Sequence, residues 1–184
     1  MKRLYLPLML VLCVLMSSCA KSSLEDKVNG FVGTLNTAKE LTFTAKVRTE
    51  YDTKTVAFEL DYTADSEGCT VTVVEPKLIQ GIRAHIAAGE TELQFDDLIL
   101  DTGELDSFGL SPMSALPLLI DALKNGVCDS VWEENGEIAA HMTASDTLSA
   151  QIRFDKYTMT PTCAELISEG TVKVFVNFER WNTL

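Results

Sequence analysis

The stretch LTFTAKVRTEYDTKTVAFELDY, residues 41–62, decides the architecture. Leu41, Phe43, Ala45, Val47 and Tyr51 alternate with Thr42, Thr44, Lys46, Arg48 and Glu50. Val56, Phe58, Leu60 and Tyr62 do the same opposite Thr55, Glu59 and Asp61. Successive side chains of a strand point to opposite faces, so each run is a strand with one apolar and one polar face. Asp52 and Thr53 lie between the runs, which makes the pair a hairpin.

Moving outward, the same period continues. Cys69, Val71 and Val73 lead to Pro76, whose missing N–H ends the strand. Ile82, Ala84 and Ile86 alternate with Arg83 and His85; Leu93 and Phe95 follow a turn at Gly89, and Leu98 and Leu100 lead to Asp101-Thr102-Gly103. No crossover helix separates these strands, so they form an antiparallel meander. The period then becomes helical: after the Ser111-Pro112 start, Met113, Leu116, Leu119, Ile120 and Leu123 share one stripe, ended by Asn125-Gly126. Pro117 predicts a kink or a restart there. Strands return at 127–133 and 138–143, joined by Asn135-Gly136, a pair suited to a type I′ turn. Leu148 to Phe154 alternates again, an irregular passage surrounds Pro161, and Val172, Val174, Val176 and Phe178 form a last strand.

Upstream, Leu24, Val28, Phe31 and Leu35 recur at helical spacing, with Ser22 or Ser23 as the expected N-cap. The polar face of this helix is not lysine-rich, so it packs on the domain rather than on a membrane. Together the elements predict an α+β fold: a large curved antiparallel sheet of roughly eight to ten strands, an unclosed half-barrel, with helices covering its apolar concave face.

Residues 1–18 stand apart. Lys2 and Arg3 precede an apolar run, Leu4 to Leu15, that is too short to span a bilayer. The run closes on Leu15-Met16-Ser17-Ser18-Cys19, which resembles a bacterial lipobox, with Met16 where leucine is usual. The resemblance implies a signal peptide at 1–18, acylation of Cys19, a lipidated N-terminus and short linker at 19–23, and one domain at 24–184. Acyl chains such as palmitate, at about 0.8 kcal/mol per buried methylene, hold such a chain on the extracytoplasmic face of a cell membrane. The formal net charge is −12, and losing Lys2 and Arg3 makes it two units more negative. Nucleic acid and anionic headgroups are therefore repelled.

The order of elements, with Glu75-Pro76 at a strand end, the Ser111-Pro112 helix and the passage Thr160-Pro161-Thr162-Cys163-Ala164-Glu165-Leu166 before the final strand, resembles the LolA-like lipoprotein-carrier superfamily. It is similar in particular to its lipidated Gram-positive members, germination lipoproteins among them. The resemblance implies that Phe43, Ala45, Val47, Phe58, Leu60, Val71, Val73, Ile82, Ile86, Leu93 and Phe95 line an apolar cavity, covered by the Met113–Leu123 helix. It assigns no functional arginine among Arg48, Arg83 and Arg153.

The remaining chemistry does not point to an enzyme. His85 and His141 are the only histidines, and neither sits in a cluster with metal-ligand spacing. Asp96 and Asp97 point to opposite faces of a strand, and no phosphate loop, nucleophile elbow or cofactor fingerprint is present. Beyond Cys19, three cysteines remain: Cys69, Cys128 and Cys163. One intrachain disulfide would leave a thiol over for a disulfide-linked dimer; the alternative is three buried free thiols. Two functions follow. The first is a membrane-anchored lipoprotein that binds acyl chains of a lipid or lipoprotein inside the half-barrel. The second is a non-catalytic lipoprotein that binds an envelope protein, in germination-type members a cell-wall amidase. A hollow interior favours the first and a filled one the second.

Overall fold

The computed structural model describes residues 19–51, 54–96, 98–104 and 111–184. Helix α1 (Cys19–Thr37) leads into β1 (Leu41–Tyr51), β2 (Lys54–Ala64) and β3 (Cys69–Glu75). A 3-10 turn (Lys77–Ile79) precedes β4 (Arg83–Ala87), β5 (Glu90–Phe95) and β6 (Leu98–Glu104). Helix α2 (Pro112–Asn125) then crosses to β7 (Val127–Glu134), β8 (Glu137–Thr143), β9 (Leu148–Asp155), β10 (Pro161–Ser168) and β11 (Thr171–Thr183). Among the described residues these strands form a single 11-stranded sheet, ordered β6-β5-β4-β3-β2-β1-β11-β10-β9-β8-β7. Every neighbouring pair is antiparallel. Two meanders are thus joined where the first strand of one, β1, pairs with the last strand of the other, β11. The sheet does not close, so β6 and β7 are its two edges.

The central hairpin has the expected register, Phe43 opposite Tyr62 and Val47 opposite Phe58, out to Tyr51 opposite Lys54. Asp52 and Thr53, expected to form its turn, lie outside the described residues, as does Asp97. Asn135 and Gly136 take positive φ of 55° and 83°, which is what a type I′ turn requires.

Three expectations are corrected. α1 starts at Cys19, so Ser22 and Ser23, expected to cap it, lie within the helix. α2 continues through Pro117 without beginning again there; a box in which the Ser111 hydroxyl accepts the Ser114 N–H, and Ser114 the Ser111 N–H, fixes its start. Proline in the second turn forfeits one backbone bond, and burial of the helix outweighs that loss. The passage at Pro161 is a strand rather than an irregular segment, because proline is tolerated as the first strand residue, and it brings the total to 11 strands.

One core lies on the concave face. Leu116, Leu119 and Leu123 of α2 are fully buried with Val47, Leu60 and Val71 on one side and Ile138, Ile152 and Phe154 on the other. Burying a leucine side chain contributes about 2 kcal/mol, so this stripe fixes the helix across the sheet.

Candidate functional site

The concave face has three zones. At the centre, eight residues of α2 are buried: Ser114, Ala115, Leu116, Pro117, Leu119, Ile120, Ala122 and Leu123. The six apolar ones other than Pro117 join Ala45, Val47, Leu60, Val71, Val73 and Ile138, Ala140, Met142, Ala150, Ile152 and Phe154 of β8 and β9 in one cluster. Met113, at the helix start, is partly buried against it. Of the residues expected to line a cavity, Phe43, Ala45, Val47, Leu60, Val71 and Val73 are buried in this core, and Phe58, Ile82 and Ile86 are partly buried beside it.

At one end of the face, aromatic rings replace aliphatic packing. Phe43 stacks on Tyr62 at 4.7 Å and on Trp181 at 4.8 Å, and Phe178 meets both Phe43 and Trp181 edge-on. Phe31 of α1 continues the chain of rings to Trp181 at 6.0 Å and to Phe154 at 4.9 Å. Burial raises the pKa of both the Tyr62 hydroxyl and the neighbouring Cys69 thiol. A cleft of about 330 Å³ opens beside Trp181, between Gly30, Phe31 and Leu35 of α1 and the turn at Thr158 to Thr160.

Trp181 carries no signal in a strict period of two, which would place it opposite Phe178. The pairing of β1 with β11 shifts between Thr42 and Thr44, and Arg180 takes a φ of 52°. One extra residue on β11 is a bulge, and it turns Trp181 onto the concave face.

At the other end apolar residues of the face lie exposed. Phe95, expected among the inward residues, lies on the same face as Ala84 and Leu93 yet is 45% exposed, and Leu98 opposite it is 58% exposed. Leu93 is half-buried. α2 contacts β1, β2 and β3, and α1 contacts β7, so the helices cover the centre and the β7 side of the sheet. Phe95 keeps its expected face and departs from the packing expected of it.

Cys69, Cys128 and Cys163 are free and half-buried on β3, β7 and β10, and burial raises the pKa of each thiol. Strands β2, β1 and β11 separate Cys163 from Cys69. At about 4.8 Å per strand that separation exceeds disulfide reach. The side chain of Cys19, the expected acylation site, lies outside what is described. Among the described residues no three His, Cys, Asp or Glu side chains gather as a metal site, and no helix is long and apolar enough to cross a membrane. His85 shares a hydrogen bond with Thr70 on the polar face at 3.1 Å. On that outer face the Arg48 guanidinium sits 4.3 Å over the Phe175 ring, beside a cleft of about 350 Å³ that Cys163 helps to line.

Neither a family model nor a curated protein matches the chain. Solved structures do. A DUF1329 family protein from Desulfovibrio piger superposes with a TM-score of 0.50 over 88% of this chain and 92% of its own, at 8% identity. A LolA superfamily protein from Nitrosomonas europaea gives 0.48 over 84% and 92%, also at 8%. The GerS lipoprotein–CwlD amidase structure from Clostridioides difficile gives 0.45 over 86% and 94%, at 12%. The likeness is one of fold alone: an antiparallel sheet that does not close, with helices on its concave face.

Proposed function

We propose that this chain is a non-catalytic lipoprotein, anchored through acylated Cys19 on the extracytoplasmic face of a membrane, that works by holding a protein partner. The observation that carries this reading is α2. Its fully buried Leu116, Leu119 and Leu123 occupy the centre of the half-barrel, where an acyl ligand would otherwise lie. A close-packed interior resists opening, because each leucine withdrawn from it loses both its burial and its contacts. The anchor supports a stationary role, since α1 begins at Cys19 and leads directly into the domain without a long tether.

Acyl binding is the second reading, and Phe95 and Leu98 favour it as concave-face apolar residues left exposed. Native mass spectrometry of the detergent-extracted chain, with and without added palmitate, separates the two. The expected result is a mass explained by the chain and its anchor alone, unchanged by palmitate. A stoichiometric acyl ligand beyond the anchor would move the function to the second reading. In the same preparation Cys19→Ala is expected to shift the protein out of the membrane fraction.

A further inference from the structure

The two edges of the sheet are built differently. β7 is packed against α1, and its pairing with β8 shifts between Cys128 and Ser130. Two of its carboxylates are held by cations of β9 and the turn after it, Glu134 by Arg153 at 3.1 Å and Glu133 by Lys156 at 2.6 Å. Helix cover, a bulge and paired charges are the usual ways of blunting an edge strand. The first three residues of β6 have none of these among the described residues; its own bulge falls later, between Asp101 and Gly103. β6 pairs with β5 on one side only, and its first residues are the apolar run Leu98-Ile99-Leu100. Leu98 and Ile99 are 58% and 60% exposed, on opposite faces, with Phe95 next to Leu98. Residues 90–104 carry Glu90, Glu92, Asp96, Asp97, Asp101 and Glu104 and no lysine or arginine.

Resting on the protein-partner reading above, we propose that the β6 edge is the docking surface, and that it takes an extended segment of alternating apolar and basic residues as a twelfth strand. Backbone hydrogen bonds along β6 would supply the affinity, and apolar side chains on alternate faces would cover Leu98 and Phe95 on one side and Ile99 on the other. Charge selects the occupant. Two copies of this chain meeting edge to edge would bring two wholly acidic hairpins together, and like charges across neighbouring strands oppose pairing. A basic segment meets the same carboxylates with complementary charge, so encounter is steered and its rate falls with added salt.

The test uses the full chain in detergent and a labelled decapeptide of alternating valine and lysine, followed by fluorescence anisotropy. A second peptide of the same sequence is methylated on every other backbone nitrogen, which keeps charge and side chains but removes the ladder bonds. The methylated peptide is expected to bind at least tenfold more weakly. Leu98→Lys and Ile99→Lys should each weaken the unmodified peptide at least tenfold. Val127→Lys, which makes the same charge change at an exposed residue of β7, should leave binding within twofold. Both peptides binding alike, or Leu98→Lys behaving as Val127→Lys does, would overturn the proposal, as would a dimer of the chain alone that Leu98→Lys dissolves. If the peptide results hold while the chain carries a stoichiometric acyl ligand, the docking edge stands and the protein-partner function falls. An acyl-free chain whose Leu98→Lys variant binds normally gives the reverse.

Discussion

The two wings of the sheet start from the same sequence pattern and end in different environments. On the β8–β9 side, Ile138, Ala140, Met142, Ala150, Ile152 and Phe154 are buried on the concave face. On the β4–β6 side, Ala84 is buried, Ile86 and Leu93 are half-buried, and Phe95 and Leu98 are exposed. Alternation is equally regular in both. The difference lies in the helices, because α1 contacts β7 while α2 contacts β8 and β9 as well as β1 to β3. A strand's period sets which face a side chain takes; a second layer sets whether that face is dry.

The largest test of that contrast is the same deletion made on both sides of it. Leu119→Ala removes a fully buried side chain from α2, and the partial collapse of such a site leaves a loss of about 2–5 kcal/mol in urea unfolding. Leu98→Ala removes an equal volume from a residue that is 58% exposed and should stay within about 0.5 kcal/mol of the wild type. Equal losses at the two positions would mean that β6 is as covered as the centre of the sheet, and the wings would no longer be distinguished by their packing.

The junction between α2 and the covered wing gives an intermediate effect. At Gly126 a Cβ would collide with the Ala122 carbonyl oxygen and approach the Thr143 carbonyl oxygen at 3.1 Å. Its φ of −71° is open to any residue, so the need for glycine is the close approach of helix end and strand, not backbone strain. Gly126→Ala should therefore destabilise by about 1–3 kcal/mol, the usual range for overpacking. Asn125→Ala, one residue earlier at an exposed side chain, should do much less. A Gly126→Ala variant as stable as the wild type would show that α2 is free to shift against β7 and β8.

What could be read from the residues follows the same division. The hairpin of 41–62, both helices, the Asn135-Gly136 turn and the open sheet were legible because each rests on a local period or a local turn. Pro161 misled because proline ends a central strand but is tolerated at a strand's first residue, and only the partner strand reveals which applies. Trp181 was missed because a bulge is set by pairing with β1, not by spacing within β11. Exposure of Phe95 was out of reach, since its cause is where two helices, distant in sequence, come to rest. Inward-facing residues can be read from alternation, whereas the choice between a filled interior and a hollow one depends on the second layer.

The smallest effect is electrostatic and belongs to the covered wing. One Asp155 carboxylate oxygen accepts the Thr158 N–H at 2.8 Å, the Thr158 hydroxyl at 3.0 Å and the Tyr157 N–H at 3.0 Å. These bonds stabilise the ionised form and hold its pKa below the ordinary carboxylate value, the Thr158 amide contributing most. A carboxyl with a lowered folded pKa contributes stability that is fully present above its unfolded value, near 3.9, and is lost as pH falls through the folded value. The turn that closes β9 onto β10 should therefore keep its geometry down to about pH 4 and loosen only below it. An NMR titration of the Thr158 amide checks this: its shift should follow a proton uptake below the usual aspartate range and become flat in Asp155→Asn. A midpoint at or above that range would mean that the turn is held by its backbone alone. Because the group is exposed, salt and solvent screen the charge and the change in global unfolding stays small. Its value is local, since Met159 and Thr160 of this turn line the cleft beside Trp181, so protonating one carboxyl would loosen the aromatic end of the concave face while leaving α2 and the β6 edge unmoved.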